Sequence, residues 1–299
     1  MKTKNMFRSK EQPPRWTTCG HAHARHGFTL IELLVVVGTV AVLGMMLLPA
    51  LAGSKPNSQA VQCMHNTREL TRAWLMYASD NQDKLVDRNS WAGLAIMDWT
   101  SNPAITNAES LLSGGMATYV KSAALFKCPA DIYMNPGVTP GPRIRSVSLN
   151  GVLTSIGSGP TVRGEWPGGR VYYGMGTPSG LGACRKMSDL AVPGPANVYV
   201  FLDEHADSIN DIAFMFDVGS APSAQYWRDL PAGYHDGGCG ISFADGRSEI
   251  HRWLERDQTG IGSTRKTIYP VTYTDFWNTA CPGSRDYQWL QDRMPYRNK

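Results

Sequence analysis

Residues 28–51 read FTLIELLVVVGTVAVLGMMLLPAL, and their reading decides how the rest of the chain is understood. Glu32 is their only charge, and none occurs between residues 33 and 51. A helix rises about 1.5 Å per residue, so this run nearly crosses a hydrocarbon layer of roughly 30 Å. A core helix of a soluble protein carries a polar face, and this run has none. The sequence predicts a membrane-spanning helix.

Upstream, residues 1–27 hold Lys2, Lys4, Arg8, Lys10, Arg15 and Arg25 against Glu11 alone. The whole 299-residue chain has a formal charge of +4, so the balance beyond residue 27 is −1. Basic residues ahead of an apolar run are an orientation signal that keeps the leader cytoplasmic and exports the body of the chain. A nearly neutral body argues against nucleic acid as a partner. Nine Trp, 12 Tyr and eight Phe exclude wholesale disorder.

A secretory signal peptide would carry its cleavage site after the apolar region. Here the stretch Arg25-His26-Gly27-Phe28-Thr29-Leu30-Ile31-Glu32, placed before it, resembles the processing motif of type IV pilins and type II secretion pseudopilins. The resemblance implies cleavage after Gly27 by a prepilin peptidase, N-methylation of Phe28, and a role for Glu32 in assembly. It also implies a single pass of the bacterial inner membrane, a periplasmic head, and other pilin-like subunits as partners, in a pseudopilus or a surface fibre. A carboxylate at membrane depth is costly unless paired, and the amine of a new N-terminal Phe28 would be the counter-charge of Glu32. His21, His23 and His26 resemble a metal-binding tract but leave with the leader.

Downstream, residues 54–80 change to an amphipathic pattern. Cys63, Thr67, Leu70, Trp74 and Tyr77 recur at helical spacing, one stripe fit to pack on a head. Beyond residue 80 turns are frequent, and 144–153, 170–173, 197–203, 213–217, 239–244 and 247–254 read as short strands. The expected fold class is α+β and pilin-like: a long N-terminal membrane-spanning and amphipathic α-helix on a mostly antiparallel β-sheet head with long loops. The domain reading is leader 1–27, transmembrane helix 28–51, amphipathic helix 52–80 and β-rich head 81–299.

Within the head, residues 239–251 read as a hairpin. Asp245-Gly246 suits a two-residue type I′ turn, with Ile241 opposite Ile250, Phe243 opposite Ser248 and Ser242 opposite Glu249. His235 precedes Asp245 by ten positions. His-x9-Asp-Gly, here His235, Asp245 and Gly246, resembles the signature of a processing-associated pilin-like family. Phe126-Lys127-Cys128-Pro129-Ala130-Asp131, Arg145-Ser146-Val147-Ser148-Leu149-Asn150 and the acidic stretch 201–211 match the same style.

No nucleophile or metalloprotease motif accompanies His235, so a structural role outweighs a catalytic one and no enzyme is expected. Asp203, Glu204, Asp207, Asn210 and Asp211 are the candidate calcium ligands, since Ca²⁺ takes six to eight oxygens; no other cofactor is expected. Export would place Cys63, Cys128, Cys184, Cys239 and Cys281 in an oxidising setting. The pairings are open, with Cys63 expected to be unpaired and no C-x-x-C present. The alternative function is a membrane-anchored adhesin or carbohydrate-binding head using Trp91, Trp99, Trp166, Trp227, Trp277 and Trp289; exposed, coplanar rings would mark it. A membrane-anchored hydrolase would need a pocket with convergent polar groups around His235.

Overall fold

Thr29 caps the first helix. Its hydroxyl accepts the Glu32 backbone N–H at 3.2 Å, and the Glu32 carboxylate accepts the Thr29 N–H at 2.9 Å and the Thr29 hydroxyl proton at 2.8 Å. This reciprocal Thr-x-x-Glu arrangement is a capping box, which satisfies donors that the first turn leaves without helical partners. The Thr29 N–H, and then its hydroxyl, hold the Glu32 carboxyl below the usual carboxylate range. Helix α1 spans Leu30–Asp80 and runs through Pro49 and Pro56 as one element.

The computed structural model describes residues 28–93, 99, 107–135, 140–156, 170–172, 183–216, 225–255, 267–274 and 278–298. The side chains of 46–55, 170–172 and 297–298 are outside that description, as are Gly27 and the histidines before it. Two compact units divide the chain, Met1–Ala52 and Gly53–Lys299.

The membrane-spanning expectation does not hold. No helix among the described residues is long and apolar enough to cross a membrane. The pilin-like fold class and the single-pass inner-membrane location with a periplasmic head, both built on that span, are therefore withdrawn. The described residues form an α+β arrangement with a mixed sheet.

That sheet belongs to the unit beginning at Gly53. Its strands are β1 (Val147–Asn150), β2 (Tyr199–Asp203), β3 (Ala213–Phe214), β4 (Gly238–Phe243) and β5 (Ser248–Arg252), in the spatial order β3-β1-β2-β4-β5. The β1–β3 pair is parallel and the other three are antiparallel. Every residue of β1, β2, β3 and β4 is buried, so the alternation expected of a one-sided sheet is absent. The stripe of α1 covers one face. Thr71 donates to Ser242 Oγ at 2.7 Å, and the hydroxyls of Thr67 and Ser248 lie 2.6 Å apart, so these four hydroxyls are satisfied. Cys63, Leu70 and Trp74 are fully buried beside them.

Trp91 organises the packing between β2 and the preceding loops. Its ring lies 4.9 Å from Phe201 and 5.4 Å from Phe126, and its indole N–H donates to the Ile212 carbonyl at 2.7 Å. Arg145 is wholly buried and donates to the carbonyls of Val147 and Asp211. A short helix α2 (Arg285–Gln291), capped by Ser284, follows the sheet in sequence. Its Asp286 accepts the backbone N–H groups of Leu254 and Glu255, both at 2.9 Å.

The β4–β5 hairpin differs from expectation by one residue. Ile241 pairs with Glu249, Ser242 with Ser248 and Gly240 with Ile250. Of the turn residues only Gly246 has positive φ, and Phe243 accepts its N–H at 2.9 Å while donating to Arg247 at 2.8 Å. These are the marks of a three-residue loop ending on a left-handed glycine, not of a type I′ turn, and the added residue moves the register. The slip places Ser242 and Ser248 under α1.

Candidate metal centre

Four donor side chains converge where α1 crosses the sheet. Cys63 comes from the buried stripe of α1, Cys128 from the loop after the 3-10 turn Ala123–Phe126, Asp203 from the end of β2, and His235 from the turn before β4. Their ligating atoms all lie within 4.8 Å of one another. The Cys63 thiol donates to Asp203 Oδ2 at 2.8 Å, and Cys128 Sγ lies 3.1 Å from His235 Nε2. Around a zinc ion, with bonds of about 2.3 Å to sulfur and about 2.0 Å to nitrogen or oxygen, tetrahedral donors sit roughly 3.3–3.8 Å apart. The Cys63–Asp203 and Cys128–His235 pairs need a small expansion to meet that, and every other pair is within 4.8 Å.

Local structure holds each donor. Ser146 Oγ accepts the Cys128 backbone N–H at 2.7 Å and donates to Asp203 Oδ1 at 3.0 Å. Asp203 Oδ2 also accepts the Gly240 N–H at 3.1 Å. Such outer partners orient metal-ligating side chains. His235 and Gly238 exchange backbone hydrogen bonds of 3.0 and 3.1 Å around Asp236 and Gly237, both at positive φ. The two-residue turn expected at Asp245-Gly246 is thus found at this earlier Asp-Gly pair. Gly240 supplies the space: a Cβ there would sit 2.3 Å from Cys63 Sγ and 2.9 Å from Asp203 Oδ2.

Electrostatics distinguish this cluster from a nucleophilic one. Cys63, Cys128 and Asp203 are fully buried, and His235 is nearly so. Burial raises the Asp203 carboxyl to about 6 against hydrogen bonds from Cys63 and Ser146. The Cys63 thiol is pushed well up by its contact with Cys128 and by burial. Contact with Cys63 works to lower the Cys128 thiol, but burial and the Asp203 charge leave it raised overall. Burial lowers His235. An activated thiolate–imidazolium pair has the opposite pattern, with a depressed thiol. A divalent cation is the partner that would balance thiolates and a carboxylate buried together. Two sulfurs and an imidazole suit zinc, and do not suit calcium or magnesium.

The other sequence candidates are dispersed. His235 and Asp245 stand at opposite ends of β4, so their spacing is one strand plus its two turns, and Asp245 accepts the Arg247 N–H at 2.9 Å. Glu204, the residue after β2, accepts the Ser208 hydroxyl at 2.8 Å, and burial raises its carboxyl to about 8. Asp207 accepts the Trp99 indole N–H at 2.9 Å and the Thr272 N–H at 2.7 Å, and Asp211 accepts the Ala213 N–H at 2.8 Å. These acids do not share a cage; among the described residues only the Cys63 group brings three or more such donors together.

Phe28 is exposed, and Gly27 lies outside the described residues. All five described cysteines are free, including Cys63. Trp74, Trp91, Trp99, Trp227 and Trp253 are buried, and Trp289 is stacked on His251 with ring centres 3.5 Å apart. No exposed coplanar set exists among the described residues; Trp166 and Trp277 lie outside them. The space beside His235, about 170 Å³, is lined by Gln59, Tyr234, Asp236 and Arg252 among others, with no Ser, Thr, Cys or Lys among its lining residues.

No family model, no curated protein and no solved structure matches this chain. The resemblance to pilins and pseudopilins therefore finds no support beyond the motifs that suggested it. With no membrane-crossing helix among the described residues either, the chain's assignment to that family, and to secretion, is withdrawn.

Proposed function

We propose that residues 53–299 form a non-catalytic, metal-stabilised structural domain, with one zinc-class divalent ion bound by Cys63, Cys128, Asp203 and His235. The observation that carries this reading is the convergence of those four donors, all within 4.8 Å of one another, from four separate segments. Four protein ligands complete a tetrahedral sphere, the arrangement of structural zinc sites; catalytic sites keep a position open for water or substrate. The ion would tie α1, the Cys128 loop, β2 and the His235 turn at one point, and its binding free energy would add to that of folding.

Metal analysis of the purified full chain tests this. One zinc per chain is expected, with loss of the metal in Cys128→Ser and His235→Ala and a lower melting temperature after chelation. A chain that takes up no zinc, and melts identically with and without chelator, would sink the proposal.

A further inference from the structure

The metal centre holds two sulfurs within reach of each other, and they are not equivalent. Cys128 forms part of the wall of a groove of about 820 Å³, lined also by Gln62, Asn66, Lys127, Asp131 and Arg143. Both cysteines are fully buried, but Cys63 is absent from that wall. Their sulfurs lie within 4.8 Å of one another. The third and fourth donors, Asp203 and His235, cannot be oxidised in the same way.

We infer that this centre is a peroxide-responsive switch, in which a Cys63–Cys128 disulfide and the bound metal are mutually exclusive. The inference rests on the metal reading above. A hydroperoxide entering from the groove as its wall opens reaches Cys128 before Cys63. In the metal-loaded chain Cys128 is held as a thiolate; it attacks one peroxide oxygen, the O–O bond breaks, and a sulfenic acid and hydroxide result. The Cys63 thiolate then attacks the Cys128 sulfur; the S–S bond forms, the S–O bond breaks and a second hydroxide leaves. Two protons from solvent convert the hydroxides to water. The two sulfurs together lose two electrons, which the peroxide gains. Only Asp203 and His235 then remain as donors, too few to hold a zinc-class ion. A dithiol reductant reverses the sulfur chemistry.

The zinc-loaded full chain, titrated with hydrogen peroxide, tests this. Released zinc is read with a chromophoric chelator, and disulfides by peptide mapping without reduction. One zinc is expected to leave per Cys63–Cys128 disulfide formed, with rebinding after dithiothreitol and zinc. The variants Cys184→Ser and Cys281→Ser should respond like the parent chain. A chain that binds zinc but forms the disulfide without releasing it overturns this inference alone. So does zinc loss through oxidation at other cysteines, or zinc kept with both thiols unoxidised. A chain that takes up no zinc overturns the metal reading and this inference together.

Discussion

The Cys63 thiol donates to Asp203 Oδ2 at 2.8 Å across 140 positions of sequence, joining the stripe of α1 to the end of β2. Gly240 leaves the room for that contact and adds its own N–H to the same oxygen at 3.1 Å. Helix, central strand and neighbouring strand thus meet on one carboxylate. The buried oxygen accepts two donors, so its desolvation is partly offset in the metal-free form.

Gly240→Ala should break this junction. The new methyl would lie 2.3 Å from Cys63 Sγ and 2.9 Å from Asp203 Oδ2, closer than either atom tolerates. Overpacking of this kind costs about 1–3 kcal/mol, and the donors would be spread. The expected result is a lower melting temperature together with loss of bound zinc. Parent-like values for both would show that α1 shifts without consequence.

Ser146→Ala removes no proposed ligand but strips the outer support from two. Cys128 loses the acceptor of its N–H at 2.7 Å, and Asp203 loses a donor at 3.0 Å. Zinc affinity should fall about 10–100-fold, measured by competition with a chelator, while Ser146→Thr retains much of it. Equal affinities in parent and alanine variant would contradict the supporting role.

His251 predicts a pH dependence independent of the metal centre. Burial first, then the nearby Arg293 charge, lower its imidazole from 6.5 to about 4, and the ring stacks on Trp289. The unfolded chain therefore binds this proton before the folded one does. The contribution is fully present above about pH 6.5 and is lost as pH falls towards about 4. His251→Phe keeps the stack and should flatten the acid limb of a denaturation series. Asp203 and Glu204, raised to about 6 and about 8, act in the opposite sense, losing stability as pH rises. They are common to parent and variant, so they cancel in the difference curve, which should slope only over the imidazole range.

Thr29→Val should fray the start of α1. It removes the hydroxyl that accepts the Glu32 N–H at 3.2 Å and donates to the Glu32 carboxylate at 2.8 Å. Amide exchange of Glu32 should quicken, with exchange around Leu70 unchanged. Uniform exchange across both regions would mean the cap has no local effect.

Local pattern accounts for much of the body. The stripe of Cys63, Thr67, Leu70, Trp74 and Tyr77 reads at helical spacing, and all but the half-buried Tyr77 are buried. Strands lie within or overlap the apolar runs at 144–153, 197–203, 213–217, 239–244 and 247–254, because β-branched and aromatic residues between turn formers leave few other conformations. The capping box at Thr29-x-x-Glu32 is equally visible in the residues, yet the apolar run beside it draws Glu32 into a membrane argument. The hairpin register turns on one backbone angle. Asp-Gly occurs at 236–237 and at 245–246, and only the first pair has positive φ at both residues.

Sequence by itself determined the amphipathic stripe, the strand segments and the stock of thiols, imidazoles and carboxylates, since periodicity and composition act over a few neighbouring residues. Tertiary structure alone decided which of those groups meet. Cys63, Cys128, Asp203 and His235 are far apart along the chain, and no spacing rule links them. They converge because the buried face of α1 crosses β2 and β4 at a glycine, and because Ser146 and the Asp236-Gly237 turn aim the remaining two donors at that crossing.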